Sequence, residues 1–198
     1  MIMVNQRASN EYRIAVAVLA GGESSRMGKP KAELVRSDGT TFLEHICDEM
    51  SDFEFKYLSV NKNQSYCHDG FETVVDEYDS IGPMGGIVSV LNRAKESGVA
   101  AVLFVGCDMP FYTFNTAQEI LNEYRGEDVI VPVANNKREP LASLYSTRIL
   151  DLFNAHILKG EYKLTGVILR SRYREFDTCS PDAYFNINTP EEYETMER

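Results

Sequence analysis

The sequence predicts a single-domain, three-layer α/β/α fold with a mostly parallel sheet. The chain has 198 residues of which 43% are hydrophobic, enough for one sizeable core. Strand-like and helix-like segments alternate from end to end, and the longest strand-like runs, Ile14–Ala20 and Val99–Val105, are apolar at every position. Such runs are typical of strands covered by helices on both faces. We therefore expect one domain over residues 14–198, preceded by a disordered tail over residues 1–13, which lack periodicity.

The strands are predicted from short runs of apolar and β-branched residues. In chain order they are Ile14–Ala20, Tyr57–Val60, Thr73–Val75, Val99–Val105, Val129–Val133, Leu141–Tyr145 and Tyr184–Phe185.

The helices are predicted from apolar residues spaced three and four apart and from capping residues. Thr41 followed by Glu44 forms a capping box that predicts a helix over residues 41–50. Thr189 before Pro190 predicts the start of a helix near the C-terminus. With that last helix, the remaining predictions are Met84–Lys95, Asn115–Tyr124, Thr147–His156, Lys163–Arg170 and Pro190–Met196.

Charge and cysteine content exclude several classes of function. Lys and Arg total 20 against 30 Asp and Glu, a formal charge of −10, which argues against a nucleic-acid or anionic membrane surface. Any anion site must therefore be local. The four cysteines lie far apart without the spacing of a zinc site, and no apolar run is long enough to span a bilayer. Free thiols of this kind predict a cytoplasmic protein.

The loop after the first strand is the predicted anion site. Ligands of parallel α/β sheets bind beyond the carboxyl ends of the strands. Three glycines and three cations follow the first strand within a few residues; they are Gly21, Gly22, Gly28, Arg26, Lys29 and Lys31. Glycine lets backbone N–H groups approach phosphate oxygens closely, and the cations add charge. The loop is not a Walker A motif, because Gly22 and Gly28 enclose five residues and Pro30 replaces the Mg²⁺-binding Ser or Thr.

A carboxylate follows the most apolar strand. Val99–Val105 leads into Gly106-Cys107-Asp108-Met109-Pro110. An Asp at the end of a buried strand is a suitable ligand for Mg²⁺, which takes few protein carboxylates and completes its shell with phosphates and water. Cys107 is interpreted as a packing residue.

The string Leu-Ala-Gly-Gly-x-Ser-x-Arg-Met-Gly-x-x-Lys over residues 19–31 resembles the signature of a nucleotidyltransferase family. That family includes the molybdenum cofactor guanylyltransferases, the molybdopterin cytidylyltransferases and enzymes acting on sugar phosphates. Three further segments resemble those of the guanylyltransferases: Gly-Pro-Met-Gly-Gly from residue 82, Arg-Glu-Pro-Leu-Ala-Ser-Leu-Tyr from residue 138, and Phe-Asn-Ile-Asn-Thr-Pro-Glu-Glu from residue 185. The resemblance covers residues 14–196 and implies a Rossmann-like nucleotidyltransferase sheet.

The resemblance implies that the protein transfers GMP from GTP to the terminal phosphate of molybdopterin or Mo-molybdopterin. The products would be molybdopterin guanine dinucleotide and pyrophosphate, and the cofactor Mg²⁺. It implies catalytic roles for Arg26, Lys31 and Asp108, with Asp108 as the metal ligand. The implied nucleotide-binding residues are Leu19, Ala20, Gly21, Gly22, Lys31, Asn61, Asp76, Gly82 and Asp108. The implied acceptor-binding residues are Arg138, Asn186 and Asn188; strand alternation would send the two asparagines to one face.

Two features leave alternatives open. Pro30 stands where the guanylyltransferases usually carry Asp, and Gly-x-Pro-Lys is common in the cytidylyltransferases, so a molybdopterin cytidylyltransferase or another Mg²⁺-dependent nucleotidyltransferase remains an alternative. The alignment also leaves open whether Lys29 or Lys31 binds phosphate. A non-catalytic nucleotide or pterin carrier is a further alternative.

The expected protein partners are those that supply molybdopterin and the molybdoenzymes that receive the product. No nucleic acid and no membrane are expected as partners.

Overall fold

A computed structural model describes residues 12–21, 28–78 and 80–196 of the chain. The predicted tail lies outside the described residues except for its last two. Of those, Tyr12 packs edge-on against Tyr124, with ring centroids 5.2 Å apart, and the carbonyl of Arg13 accepts a hydrogen bond from the N–H of Ala100. Two of the predicted site residues, Gly22 and Arg26, also lie outside the described residues.

The strands form one mixed sheet in the described part of the chain. Its order is β3–β2–β1–β4–β7–β5–β6, and β8 pairs with β5. The pairs β1–β2, β2–β3, β1–β4 and β5–β8 are parallel, whereas β7 and β6 run antiparallel to their neighbours. The strands are β1 Ile14–Leu19, β2 Phe55–Val60, β3 Glu72–Val75, β4 Ala101–Gly106, β5 Val129–Ala134, β6 Lys137–Arg138, β7 Leu144–Ser146 and β8 Tyr173–Asp177.

Helices cover both faces of this sheet. They are α1 Phe42–Glu49, α2 Pro83–Glu96, α3 Phe114–Glu123, α4 Leu150–Leu158, α5 Leu164–Leu169 and α6 Pro190–Met196. Apolar side chains of α1 and α3 pack in one core cluster, and those of α2, α4 and α5 pack in another on the opposite face. The three-layer α/β/α prediction is therefore confirmed. None of the helices in the described ranges is long and apolar enough to span a membrane.

Strand β1 shows why its run is apolar at every position. Val16 and Val18 belong to the α1–α3 core, whereas Ala15 and Ala17 belong to the α2–α4–α5 core. All four side chains are fully buried. Successive side chains of a strand point to opposite faces, so a strand between two helix layers has no solvent-facing position.

Both predicted helix starts are confirmed. The Thr41 hydroxyl accepts a hydrogen bond from the N–H of Glu44, and the Glu44 carboxylate accepts one from the N–H of Thr41, so a capping box begins α1. At α6 the Glu192 carboxylate accepts from the N–H of Thr189, and the Thr189 hydroxyl accepts from the N–H of Glu192.

Several predicted elements require correction. The strand at Tyr184–Phe185 is wrong, because Tyr184 ends a 3₁₀ helix over Pro181–Tyr184. The last strand in the described part of the chain is instead β8, which pairs in parallel with β5 and was not predicted. The segment predicted as Leu141–Tyr145 begins instead with a 3₁₀ helix over Pro140–Ala142, since proline at its start has no N–H for a sheet ladder.

Candidate active site

The carboxyl ends of β1, β2 and β4 meet at one edge of the sheet. Leu19, at the end of β1, pairs in register with Ser59 of β2 and with Gly106 of β4. The pairing continues past the strand, because the N–H of Ala20 donates to the Ser59 carbonyl at 2.9 Å. The glycine loop, the turn at Asn61 and the turn at Asp108 therefore start from neighbouring points, as the sequence predicts.

Three predicted site residues from distant parts of the chain join at this edge. The Lys31 Nζ donates to Asp108 Oδ2 at 2.8 Å and to Asn188 Oδ1 at 2.7 Å. The side chains of Lys31 and Asp108 are 19% and 21% exposed, so this ion pair is partly screened from water yet reachable by a ligand. Lys29 is exposed. The structure thus connects Lys31 with the predicted metal ligand.

The backbone holds the Asp108–Asn188 part of the site in place. A Cβ at Gly106 would lie 2.6 Å from Asp108 Oδ1, so glycine makes room for the carboxylate to fold back over the end of β4. The Asp108 carbonyl accepts a hydrogen bond from the N–H of Ile187 at 2.9 Å. The N–H of Asn188 donates to the Glu192 carboxylate at 2.7 Å, which links this asparagine to the start of α6.

On the other side of the site, Asn61 lies against the glycine loop. A Cβ at Gly21 would be 2.7 Å from Asn61 Oδ1, so the amide packs directly on the loop backbone. Gln64 fixes this arrangement: its Oε1 accepts from the N–H of Asn61 at 2.9 Å, and its Nε2 donates to the Ala20 carbonyl at 3.4 Å. One amide side chain therefore ties the end of β2 to the start of the loop.

Asp76 is almost buried against the first turn of α2. It is 8% exposed, and its Oδ1 accepts from the N–H of Tyr78 at 2.8 Å. Gly82 caps the helix with φ +65° and ψ −154°, a backbone conformation that favours glycine. Asp76 and Gly82 thus lie close to the start of α2, and their nucleotide-binding role stays a prediction.

Gly85 allows the Asp76 carboxylate to approach α2. A Cβ at Gly85 would lie 2.6 Å from both Asp76 carboxylate oxygens. Gly→Ala in a helix interior ordinarily stabilises by up to about 1 kcal/mol. We expect Gly85→Ala instead to lower the free energy of unfolding by about 1–3 kcal/mol, because the site is overpacked, and to weaken GTP binding. Denaturant unfolding and calorimetric GTP titration would measure both; unchanged GTP affinity would contradict a nucleotide-binding role for Asp76.

A cleft opens between these elements. Its walls include Gly21, Lys31, Gln64, Pro83 and Asp108. The cleft therefore joins the glycine loop, the start of α2 and the Lys31–Asp108 pair in one open space.

The predicted acceptor residues are less closely grouped. Asn188 contacts Lys31, whereas the Asn186 amide donates to the Tyr184 carbonyl at 3.2 Å. The segment holding the two asparagines is not a strand, so the strand alternation used to predict their common face does not apply. Arg138 lies on β6 and forms an ion pair with Glu175 of β8 at 2.7 Å.

Gln64 and Glu139 are not among the site residues predicted from the sequence. Glu139 is half-buried, and burial raises the pKa of its carboxyl; the positive charge of Lys137 opposes this shift and the negative charge of Asp108 adds to it. Glu139 could have been selected from the sequence, because it lies within the Arg-Glu-Pro-Leu segment that resembles the guanylyltransferases. Gln64 has no signal of its own, because its role depends on the distance between two loops.

Cys107 precedes Asp108 but is suited to packing. It is 6% exposed, and burial, with the Asp108 charge, raises the pKa of its thiol despite the nearby Lys31. At neutral pH the thiol is protonated and therefore a poor nucleophile. We expect Cys107→Ser to transfer nucleotide at close to the wild-type rate in a pyrophosphate-release assay. A loss as large as that expected for Asp108→Ala would contradict the packing interpretation.

The residues present suit a magnesium ion. The described ranges contain no group of three or more His, Cys, Asp or Glu side chains that could hold a metal by themselves. Mg²⁺ needs no such group, since one or two carboxylates with substrate phosphates and water suffice. The Asp108 carboxylate and the Asn188 amide oxygen, both now in contact with the Lys31 ammonium group, are hard oxygen donors of the required kind.

The chain resembles known proteins over most of its length. The family described as MobA-like NTP transferase domain matches residues 16–175. A molybdenum cofactor guanylyltransferase of Vibrio campbellii is 31% identical over 184 residues, which are 88% of this chain and 90% of the relative. A probable molybdenum cofactor guanylyltransferase of Clostridium perfringens is 27% identical over 92% of this chain and 95% of the relative.

Solved structures share the fold. Molybdopterin-guanine dinucleotide biosynthesis protein A of Archaeoglobus fulgidus superposes with a TM-score of 0.74 at 23% identity, covering 92% of this chain and 96% of that one. The 4-diphosphocytidyl-2C-methyl-D-erythritol synthase of Anaerococcus prevotii gives a TM-score of 0.71 at 13% identity, with 96% of both chains covered.

Proposed function

Since the chain belongs to the family of MobA-like NTP transferase domains, which are nucleotidyltransferases, we propose that it transfers GMP from GTP to the terminal phosphate of molybdopterin or Mo-molybdopterin. The products are molybdopterin guanine dinucleotide and pyrophosphate. The observation that carries the proposal is the contact of Lys31 with Asp108 and Asn188 beside the glycine loop. The chain's relatives named guanylyltransferases support the choice of substrates.

The reaction is a displacement at the α-phosphorus of GTP. An oxygen of the acceptor's terminal phosphate forms a new bond to the α-phosphorus while the bond to the β-phosphate oxygen breaks, and the electron pair leaves with pyrophosphate. The acceptor is already an anion, so no covalent enzyme intermediate is needed. Catalysis is therefore mainly positioning and neutralisation of charge.

The chain's own residues divide this work. The backbone of Leu19, Ala20, Gly21 and Gly22 binds the nucleotide. The side chains of Arg26 and Lys31 bind its phosphates. Asn61, Asp76 and Gly82 hold the guanosine. Arg138, Asn186 and Asn188 orient the acceptor. The local concentration of cations suits an anionic substrate on a chain whose net charge is −10.

Asp108 is the proposed magnesium ligand, with Asn188 close enough to join it. When bound, Mg²⁺ supplies positive charge to the α-phosphate and the departing pyrophosphate. The Lys31 ammonium lies 2.8 Å from Asp108 Oδ2, so its positive charge would stand beside the metal and the phosphates.

The choice of base is tested by competition. Purified protein with Mg²⁺ and molybdopterin is given GTP, CTP or both, and pyrophosphate release is measured. We expect faster release with GTP. Faster release of pyrophosphate with CTP would replace the proposal with a cytidylyltransferase, and nucleotide binding without release from either nucleotide would favour a carrier.

We further propose cytoplasmic action and transient contacts with proteins that supply molybdopterin and with target molybdoenzymes.

A further inference from the structure

Two phenylalanine side chains beside the site are exposed to solvent. Phe111 and Phe185 are each 46% exposed, and they are the exposed phenylalanines of the described part of the chain. Phe111 follows Asp108 by three residues, and Phe185 directly precedes Asn186. Exposing aromatic rings to water forgoes the free energy of burying them, so a pair next to a substrate site suggests a ligand that covers them.

Two contacts bring these residues to adjacent backbone positions. At one end the N–H of Ile187 donates to the Asp108 carbonyl at 2.9 Å. At the other end Tyr112 and Tyr184 pack edge-to-face, with ring centroids 5.6 Å apart. The segments 108–112 and 184–187 therefore contact each other at both ends, and Phe111 and Phe185 lie on these two neighbouring segments.

The side chains of this pair point outward. Tyr112 and Tyr184, their neighbours along the chain, are 0% and 3% exposed and point into the core. The two phenylalanines take the opposite direction. Other exposed apolar side chains, such as Leu158 and Leu169, lie on α4 and α5, whereas Phe111 and Phe185 lie three positions from Asp108 and Asn188 in the sequence.

The distance from the reacting phosphate suits an elongated acceptor. Phe111 lies three positions after Asp108, a span of at most ~10 Å. Phe185 likewise lies three positions before Asn188. Both phenylalanines are therefore within reach of the far end of an elongated acceptor whose phosphate lies at the Lys31–Asp108 pair.

We propose that Phe111 and Phe185 form a stacking subsite for the planar pterin ring at the end of the acceptor opposite its phosphate. The inference rests on the proposed function and extends it to the residues that recognise the acceptor. Stacking of a flat heterocycle on aromatic side chains contributes affinity through its π-face without requiring a matching set of hydrogen bonds. The acceptor's phosphate then supplies the anion and its ring the apolar surface.

Fluorescence tests the subsite independently of turnover. The chain contains no tryptophan, so Phe111→Trp introduces a single indole that still stacks. We expect its emission to be quenched when molybdopterin is added without GTP. Leu169→Trp is the matched control, since Leu169 is 56% exposed on α5, and its emission should change only by light absorption.

Kinetics provide the second arm. Phe111→Ala and Phe185→Ala should each raise the KM for molybdopterin about tenfold, the usual scale of one lost stacking partner, and leave the KM for GTP unchanged. Phe111→Tyr should retain the wild-type value. Circular dichroism melts check folding.

The failures of the two proposals are distinguishable. If the wild type transfers GMP but both alanine variants keep the wild-type KM for molybdopterin, or if Phe111→Trp responds no more than Leu169→Trp, the stacking subsite is overturned. If molybdopterin quenches Phe111→Trp specifically but the wild type transfers no nucleotide, the subsite stands and the proposed function fails.

Discussion

Asp108→Ala is expected to lower the rate of nucleotide transfer by about 10²- to 10³-fold, the scale of losing one preorganised charge at a reacting centre. Asp108 is the carboxylate that the end of β4 presents to the cleft, and Lys31 Nζ lies 2.8 Å from it. Removing it takes away the proposed magnesium ligand and the partner that orients Lys31. Pyrophosphate release under saturating GTP and molybdopterin measures the change.

The same variant needs a metal-binding readout and a matched control. Mn²⁺ titration followed by electron paramagnetic resonance should show weaker binding in the presence of GTP, since Asp108 is the proposed ligand. Asp52→Ala removes an exposed aspartate from the turn after α1 and should leave both the rate and Mn²⁺ binding unchanged. An Asp108→Ala protein that folds and turns over at close to the wild-type rate would show that Asp108 is not the metal ligand.

Lys31→Ala is expected to reduce the rate on the same scale, about 10²- to 10³-fold. The ammonium group lies between Asp108 and Asn188, at the point where the proposed phosphates enter. Its loss leaves the Asp108 carboxylate without that countercharge and the departing pyrophosphate without a cation. The rate of pyrophosphate release is again the measurement.

Lys29→Ala is the natural comparison for Lys31→Ala. The two lysines are two positions apart, but Lys29 is exposed, whereas Lys31 begins a 3₁₀ helix over Lys31–Glu33 and is partly buried in the site. A rate close to that of the wild type in Lys29→Ala with a large loss in Lys31→Ala is the expected result. The reverse pattern would assign the phosphate role to Lys29.

The architecture was predictable because its strongest determinants are local in sequence. Strand β1 is apolar at every position, which fixes its place between two helix layers. Thr41 and Glu44 form the capping box that their spacing predicts. The meeting of Lys31 and Asp108 follows from the general rule that loops beyond the carboxyl ends of neighbouring parallel strands share one edge.

Strand β8 was missed because it carries no apolar run. Its sequence, Tyr-Arg-Glu-Phe-Asp, has two aromatic and three charged residues without a regular alternation, and its burial is low, since it lies at an edge of the sheet. The omission also hid the partner of Arg138, because Glu175 belongs to β8. A contact between residues 37 apart cannot be read from a pattern when one of the two elements is not recognised.

The prediction that Asn186 and Asn188 share one face was wrong for a related reason. Asn186 and Asn188 were assigned to one face by strand alternation, but the chain around them follows a 3₁₀ helix and is irregular. Asn188 reaches Lys31 because the Glu192 carboxylate, at the start of α6, accepts a hydrogen bond from its N–H. Asn188 does contact Lys31, but not for the geometric reason given from the sequence, and its acceptor-binding role stays a prediction.

The central claim is tested most directly by following the α-phosphate of the nucleotide into product. The protein is incubated with Mg²⁺, molybdopterin and GTP labelled at the α-phosphate, and the products are separated and identified by mass. We predict that the label appears in molybdopterin guanine dinucleotide, with one pyrophosphate released for each dinucleotide formed, and that Asp108→Ala forms it far more slowly. Two results would contradict the account: the label stays in GTP while CTP is consumed in the presence of molybdopterin, or the nucleotide is bound but not transferred.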